Sequence, residues 1–128
     1  MTIAEITLTL IRLRAELSST QARAADAKVA LRHVTADRET ALIAAAGGDK
    51  TLGANADARA RALLLLLDAD PAYTHARDAH AEADRLMRMS QVELDCARDQ
   101  RECIRWEIRE RHLDAMALAT VHGLYDAS

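Results

Sequence analysis

Aromatic residues and helix-breaking residues are scarce in this 128-residue chain. It contains no Phe, one Trp and two Tyr, so any core must be built from Leu, Ile, Val, Met and Ala, which pack readily between helices. There is a single Pro, and three of the four Gly lie with it between residues 47 and 71. Long uninterrupted segments remain on both sides of that stretch, which predicts an all-α fold.

Long apolar runs and a strong excess of one charge are also missing. The longest apolar runs, residues 41–46 and 62–67, have six residues each, far fewer than the ~20 needed to cross a bilayer. A formal net charge of −3 excludes a global attraction to nucleic acid or anionic lipid. Two Cys are too few for a disulfide framework, and the first residues show no signal-peptide pattern. We therefore expect a cytoplasmic protein that does not contact membranes.

Two long segments carry apolar residues at alternating steps of three and four. From Ile3 to Ala45, eleven of the thirteen positions of this heptad template are apolar, and from Tyr73 to Leu118, ten of fourteen are. Neither helix can bury such a seam alone. We therefore predict a long antiparallel helical hairpin of coiled-coil type, with a short helix at the connection, that assembles into a dimeric bundle.

Glycine and capping residues set the expected helix boundaries. Gly47 and Gly48 favour the left-handed conformation that ends a helix. Asn55 is a good N-cap for the short helix, and Asp70 is a good N-cap for the third helix. The predicted organisation is one domain over residues 1–128, with a helix over about 3–46, a linker over 47–55, a short helix over about 56–68, a helix over about 71–120 and a tail over 121–128.

An antiparallel hairpin of these two seams has a definite expected register. It places Leu10 opposite Ile108, and Arg38 opposite His80. Such a polar pair in the seam would fix the register at some expense of stability.

More large apolar residues are present than one seam uses. Five consecutive Leu, residues 63–67, surround the end of the short helix, so one side can cover the hairpin while the other meets a second chain or a partner protein. The alternative is that this helix is buried within one protomer. A second apolar stripe runs along the third helix, opposite its seam. The expected partner interface comprises Leu63, Leu64, Leu66, Leu67, Met89, Cys96, Cys103 and Trp106.

The two Cys lie on this second stripe. We interpret them as small apolar packing residues. A symmetric disulfide between two copies of the chain is the alternative, since Cys96 and Cys103 are too far apart along one helix to bridge each other.

The connection between the long helices carries Gly53, Asn55, Arg59 and Leu63 in the spacing Gly-x-Asn-x-x-x-Arg-x-x-x-Leu. With its flanking helices, over roughly residues 50–110, this stretch resembles a group of small coiled-coil proteins encoded in phages and prophages. The resemblance implies a non-enzymatic accessory protein with no catalytic residues to transfer.

A nucleic-acid interface is the second functional hypothesis. The third helix carries an arginine stripe, with Trp106 nearby as a stacking residue, that is suited to following phosphates. Acidic residues interleave with these arginines at spacings that also favour ion pairs within the helix. The stripe consists of Arg98, Arg101, Arg105 and Arg109.

Catalysis and metal binding have little support in the sequence. The best carboxylate cluster is Glu107, Glu110 and Asp114, and each carboxylate has an arginine close by. No cofactor motif and no metal-ligand spacing stand out. We therefore expect a non-enzymatic interaction or scaffolding protein that forms a homo-oligomer, with a dimer favoured, and binds a protein partner. The alternative is a nucleic-acid accessory factor in recombination or protection of DNA ends.

Overall fold

The protein is all-helical over the residues that its computed structural model describes, namely the backbone of residues 1–127 and the side chains of residues 1–123. Helix α1 spans Ile3–Ala45, α2 spans Ala56–Asp68 and α3 spans Pro71–Ala127, and a 3-10 turn lies at Asp49–Thr51. The predicted start of α3 and both ends of α2 are confirmed.

The predicted tail is wrong over residues 121–127, where α3 continues to Ala127. No Pro interrupts this part of the chain. Gly123 alone lowers helix stability by only about 1 kcal/mol relative to Ala, which is too little to end the helix. Ser128 lies outside the described residues.

Local hydrogen bonds fix both ends of α1. Thr2 and Glu5 form a capping box: the Glu5 N–H donates to Thr2 Oγ1 at 3.1 Å, and the Thr2 N–H donates to Glu5 Oε2 at 3.2 Å. At the other end, Gly47 and Gly48 have φ values of 92° and 115°, and the Gly48 N–H donates to the Ile43 carbonyl at 2.9 Å. This is the glycine-dependent helix end that the sequence predicts.

The linker folds tightly onto the first turn of α2. Asn55 caps the helix, since its Oδ1 accepts a hydrogen bond from the Ala58 N–H at 2.8 Å. Arg59 Nε reaches back to the Gly53 carbonyl at 3.1 Å. A Cβ at Gly53 would lie 2.7 Å from the Ala58 Cβ, so glycine is required here for close approach.

The chain forms two compact units, the first made of residues 1–17 and 90–128, and the second of residues 18–89. That residues 1–128 form a single domain stays a prediction. Every buried apolar residue of α1 belongs to the predicted heptad seam, which confirms the spacing from Ile6 to Ala24. At the end of α1 the predicted spacing is wrong, since the seam position Ala45 is exposed and Ile43 is half-buried. The buried apolar residues are Ile6, Leu10, Leu13, Leu17, Leu94 and Ala97 in the first unit, and Ala24 and Leu67 in the second.

The predicted register is wrong in the second unit. Arg38 forms its ion pair with Asp70, ten residues before the expected partner His80. His80 instead lines a cleft that Ala24 also lines. The physical reason is that 28 alanines let the apolar spacing fit several registers, and the Arg–carboxylate pair then selects one of them.

Gly53→Ala is expected to destabilise the protein by about 1–3 kcal/mol, because the added Cβ overlaps the first turn of α2. Thermal unfolding followed by circular dichroism measures the effect. Gly123→Ala is the control, since a Cβ at that helical position meets nothing within 4 Å. An equal loss of stability in both variants would contradict a close-approach role for Gly53.

Leu94→Ala is expected to cost about 2–5 kcal/mol of unfolding free energy, because Leu94 is 1% exposed and its truncation leaves a cavity. The neighbouring Val92 is 60% exposed, so Val92→Ala should change stability by no more than about 0.5 kcal/mol. Urea titration of the two variants compares them directly. Similar losses would show that the seam does not face the core at Leu94.

Candidate interaction surfaces

The carboxylate of Asp70 positions α2 relative to the two long helices within the second unit. Arg38 binds it with two groups, Nε at 3.0 Å and Nη2 at 2.8 Å from Oδ1. The Tyr73 N–H donates to Oδ2 at 3.0 Å, so Asp70 also caps α3 as predicted. The hydrogen bond from Arg38, followed by that from the Tyr73 N–H, lowers the pKa of Asp70 below its ordinary value of 3.8. Asp70 therefore stays ionised and joins α1 to the α2–α3 junction.

The five leucines of α2 divide into an inner and an outer set. Leu67 is 2% exposed, so its prediction as an interface residue is wrong: it packs inside the second unit. Leu63, one turn earlier, is half-buried and lines a cleft beside Arg59. Leu65, which the sequence analysis passed over, is 72% exposed. We name the outer set the leucine surface; it consists of Leu64, Leu65 and Leu66.

The helical period carries the signal that separates these sets. Leu63 and Leu67 are four residues apart and therefore share one face of α2, whereas Leu65 points away from that face. The predicted interface followed neither set, since it included Leu67 and left out Leu65.

The second stripe of α3 lies exposed. Met89, Cys96, Cys103 and Trp106 all have exposed side chains. Both Cys are free thiols, so the interpretation of Cys96 and Cys103 as packed residues has no support within the described part of the chain. A partner would have to cover them.

The arginine stripe is largely occupied by contacts within its own helix. Arg98 pairs with Asp95 at 3.7 Å and Arg105 with Glu102 at 3.2 Å. The guanidinium carbon of Arg109 lies 5.2 Å from the centre of the Trp106 ring. Arg101 is half-buried, and its Nε has no hydrogen-bond partner in the described structure. A phosphate would therefore compete with existing ion pairs at two of the four arginines.

The side chains of α3 become exposed after Ile104, which is half-buried. Every residue from 105 to 123 is exposed, and we name this segment the α3 extension. Ile108 and Leu118, both predicted seam residues, are 49% and 61% exposed. Leu10 is 1% exposed, so the exposure of its expected partner Ile108 does not favour the predicted contact between them.

The remaining chemistry is sparse. Among residues 1–123, no group of three or more His, Cys, Asp or Glu side chains is placed to hold a metal ion. The described helices include none with the length and apolarity to cross a membrane. The chain matches no family model, no curated protein and no solved structure.

Asp70→Asn is expected to lower the thermal midpoint at pH 7, since the amide keeps the cap but loses the charge that pairs with Arg38. The folded pKa of Asp70 is lowered, so its ionisation stabilises the protein above pH 3.8 and this contribution disappears as the pH falls through the lower folded value. The difference in thermal midpoint between the wild type and Asp70→Asn should therefore become smaller below about pH 3.8.

Asp68→Asn is the matched control for this pH series. Asp68 is exposed, and Arg77 approaches it only to 3.5 Å. The control should follow the wild type at every pH, because exposed ion pairs contribute little. If the difference in thermal midpoint between the wild type and Asp70→Asn is constant from pH 7 to pH 3, the charge of Asp70 does not contribute to stability through its ion pair with Arg38.

Proposed function

We propose that this chain is a non-enzymatic interaction or scaffolding protein, a coiled-coil-like helical hairpin that works as a homodimer in the cytoplasm. The distribution of large apolar side chains supports this proposal. Among the described residues, sixteen large apolar side chains are exposed, whereas eight hydrophobic residues are buried. Single exposed apolar residues are ordinary, but apolar residues grouped on one surface are typical of binding sites. Twelve of these sixteen side chains lie on the leucine surface or along α3.

Contacts within each unit are consistent with the proposed hairpin. In the second unit, the Arg38–Asp70 pair joins residues 32 positions apart, and residues of α1 and α3 line the same clefts. In the first unit, residues 1–17 and 90–128 form one compact body.

The resemblance to phage and prophage coiled-coil proteins supports an accessory role. Within the motif that carries it, Gly53, Asn55 and Arg59 bind one another or the first turn of α2. The motif therefore has a physical role in closing the connection between the helices, which is a role suited to a scaffold.

A nucleic-acid accessory factor is the second candidate. One observation favours it: Trp106 is 58% exposed, and Arg109 lies over its ring. Aromatic and arginine side chains together provide stacking for unpaired bases. The ion pairs of Arg98 and Arg105 favour the first proposal instead. Salt-dependent binding of single-stranded DNA that is lost in Trp106→Ala would favour the second candidate.

Light scattering over a concentration series tests the first proposal. We expect a molar mass of twice the 14.0 kDa chain mass for the wild type. A variant in which Leu64, Leu65, Ile108 and Leu118 are replaced by Asp should have the mass of one chain, because each charge opposes burial of the surface that carries it. Its far-ultraviolet circular dichroism should stay helical, since all four side chains are exposed in the single chain.

A control variant adds the same charge elsewhere. It carries Asp at four exposed polar positions of α1, namely Thr7, Ser18, Ser19 and Thr40. This variant should retain the wild-type mass. A wild-type protein that has the mass of one chain at every concentration would overturn the homodimer.

A further inference from the structure

We propose that the contact between subunits is made by the α3 extension, which packs antiparallel against the α3 extension of a second copy. This inference rests on the proposed homodimer and names the surface that forms it. Ile108 and Leu118 are its central apolar residues. The leucine surface then lies outside this contact.

The three-and-four spacing of the α3 seam continues into the extension, with Arg111 as a charged position within it. Leu94 and Ala97 are buried in the first unit, and Ile104 is half-buried. The same alternation of three and four residues continues through Ile108 and Leu118, which are exposed. A seam of this kind requires a helix with matching spacing as its partner. The extension of a second copy has that spacing.

The charge of the extension favours a second copy over other partners. Its three arginines are balanced by three carboxylates, so its formal charge is zero. A neutral surface of mixed charges does not attract a nucleic acid or an anionic lipid surface. It does complement a copy of itself. The charged residues are Arg105, Arg109 and Arg111, and Glu107, Glu110 and Asp114.

The seam itself selects the antiparallel direction. Arg111 occupies a seam position, so a parallel pair in register would bring the two copies of Arg111 together. In an antiparallel pair with its two-fold axis level with residue 113, Ile108 lies opposite Leu118 of the partner subunit. Arg111 then lies opposite Ala115 of the partner subunit and beside the partner subunit's Asp114. Neither Arg111 nor Asp114 forms an ion pair within the described chain, so both charges are available.

The whole chain exposes more surface than a compact monomer of its mass. The protein exposes 9333 Å² of surface, whereas a folded monomer of 14.0 kDa typically exposes about 6,700 Å². This excess is larger than the ~800 Å² that each partner contributes to a standard interface.

The test separates this contact from the leucine surface. In light scattering and sedimentation, Ile108→Asp with Leu118→Asp should weaken dimerisation at least about 30-fold, as expected for residues at the centre of an interface. The control is Leu113→Asp with Ala117→Asp, which adds the same charge to the opposite face of the same helix. The control should dimerise like the wild type. Circular dichroism checks that both variants stay helical.

A charge exchange tests the direction of packing without removing apolar surface. Arg111→Asp should weaken the dimer roughly tenfold, because it places two carboxylates beside each other at both symmetric positions. Adding Asp114→Arg to the same chain should restore the affinity to within about threefold of the wild type. A parallel pair would show no such rescue.

The outcomes distinguish this inference from the proposed function. A dimeric wild type that stays dimeric in Ile108→Asp with Leu118→Asp, but not in the fourfold variant, would overturn the α3 contact and leave the homodimer intact. A wild type with the mass of one chain at every concentration would overturn both. Equal weakening by the Leu113 and Ala117 control would also overturn the contact, because it would show that added charge alone separates the subunits.

Discussion

The ion pair between Arg38 and Asp70 is the interaction on which the second unit depends. Asp70 follows α2 and precedes α3, and its carboxylate caps α3 while it receives the guanidinium of α1. A buried carboxylate is unfavourable unless its lone pairs are occupied, and here three hydrogen bonds from Arg38 and one from the Tyr73 N–H occupy them. Because one group serves two purposes, the position of α1 and the start of α3 are fixed together.

Helix boundaries could be predicted from the sequence because they depend on residues that are close in the sequence. The end of α1 needs only Gly47 and Gly48, and the start of α2 needs only Asn55, whose partner lies three residues away. The register could not be predicted in the same way. Its deciding contact joins residues 32 positions apart, and alanine-rich seams fit one another at several offsets. Apolar spacing therefore identified which face of α1 is buried, but not which residues of α3 lie against it.

The candidate surfaces could likewise be predicted only in part from the sequence. The sequence indicated that α2 and α3 carry excess apolar residues, and Leu64, Met89 and Trp106 are indeed exposed. The helical period divides the leucines of α2 into two sets, but which set faces inward depends on how the linker packs against the helix. The contact between Arg59 and Gly53 fixes the position of the linker on the first turn of α2. Such contacts have no period that a sequence pattern could reveal.

The composition of the α3 extension favours contact over helix formation. Alanine is the best helix former and exposes little apolar surface on a helix. This chain contains 28 alanines. At Ile108, the extension instead carries a β-branched residue that forms helix less well than Ala and exposes apolar surface to water. Leu118 likewise adds apolar area without improving the helix over Ala. Each substitution away from Ala is unfavourable in an isolated chain and becomes favourable once the seam is covered. This choice of residues supports the proposal that the extension packs against a second copy.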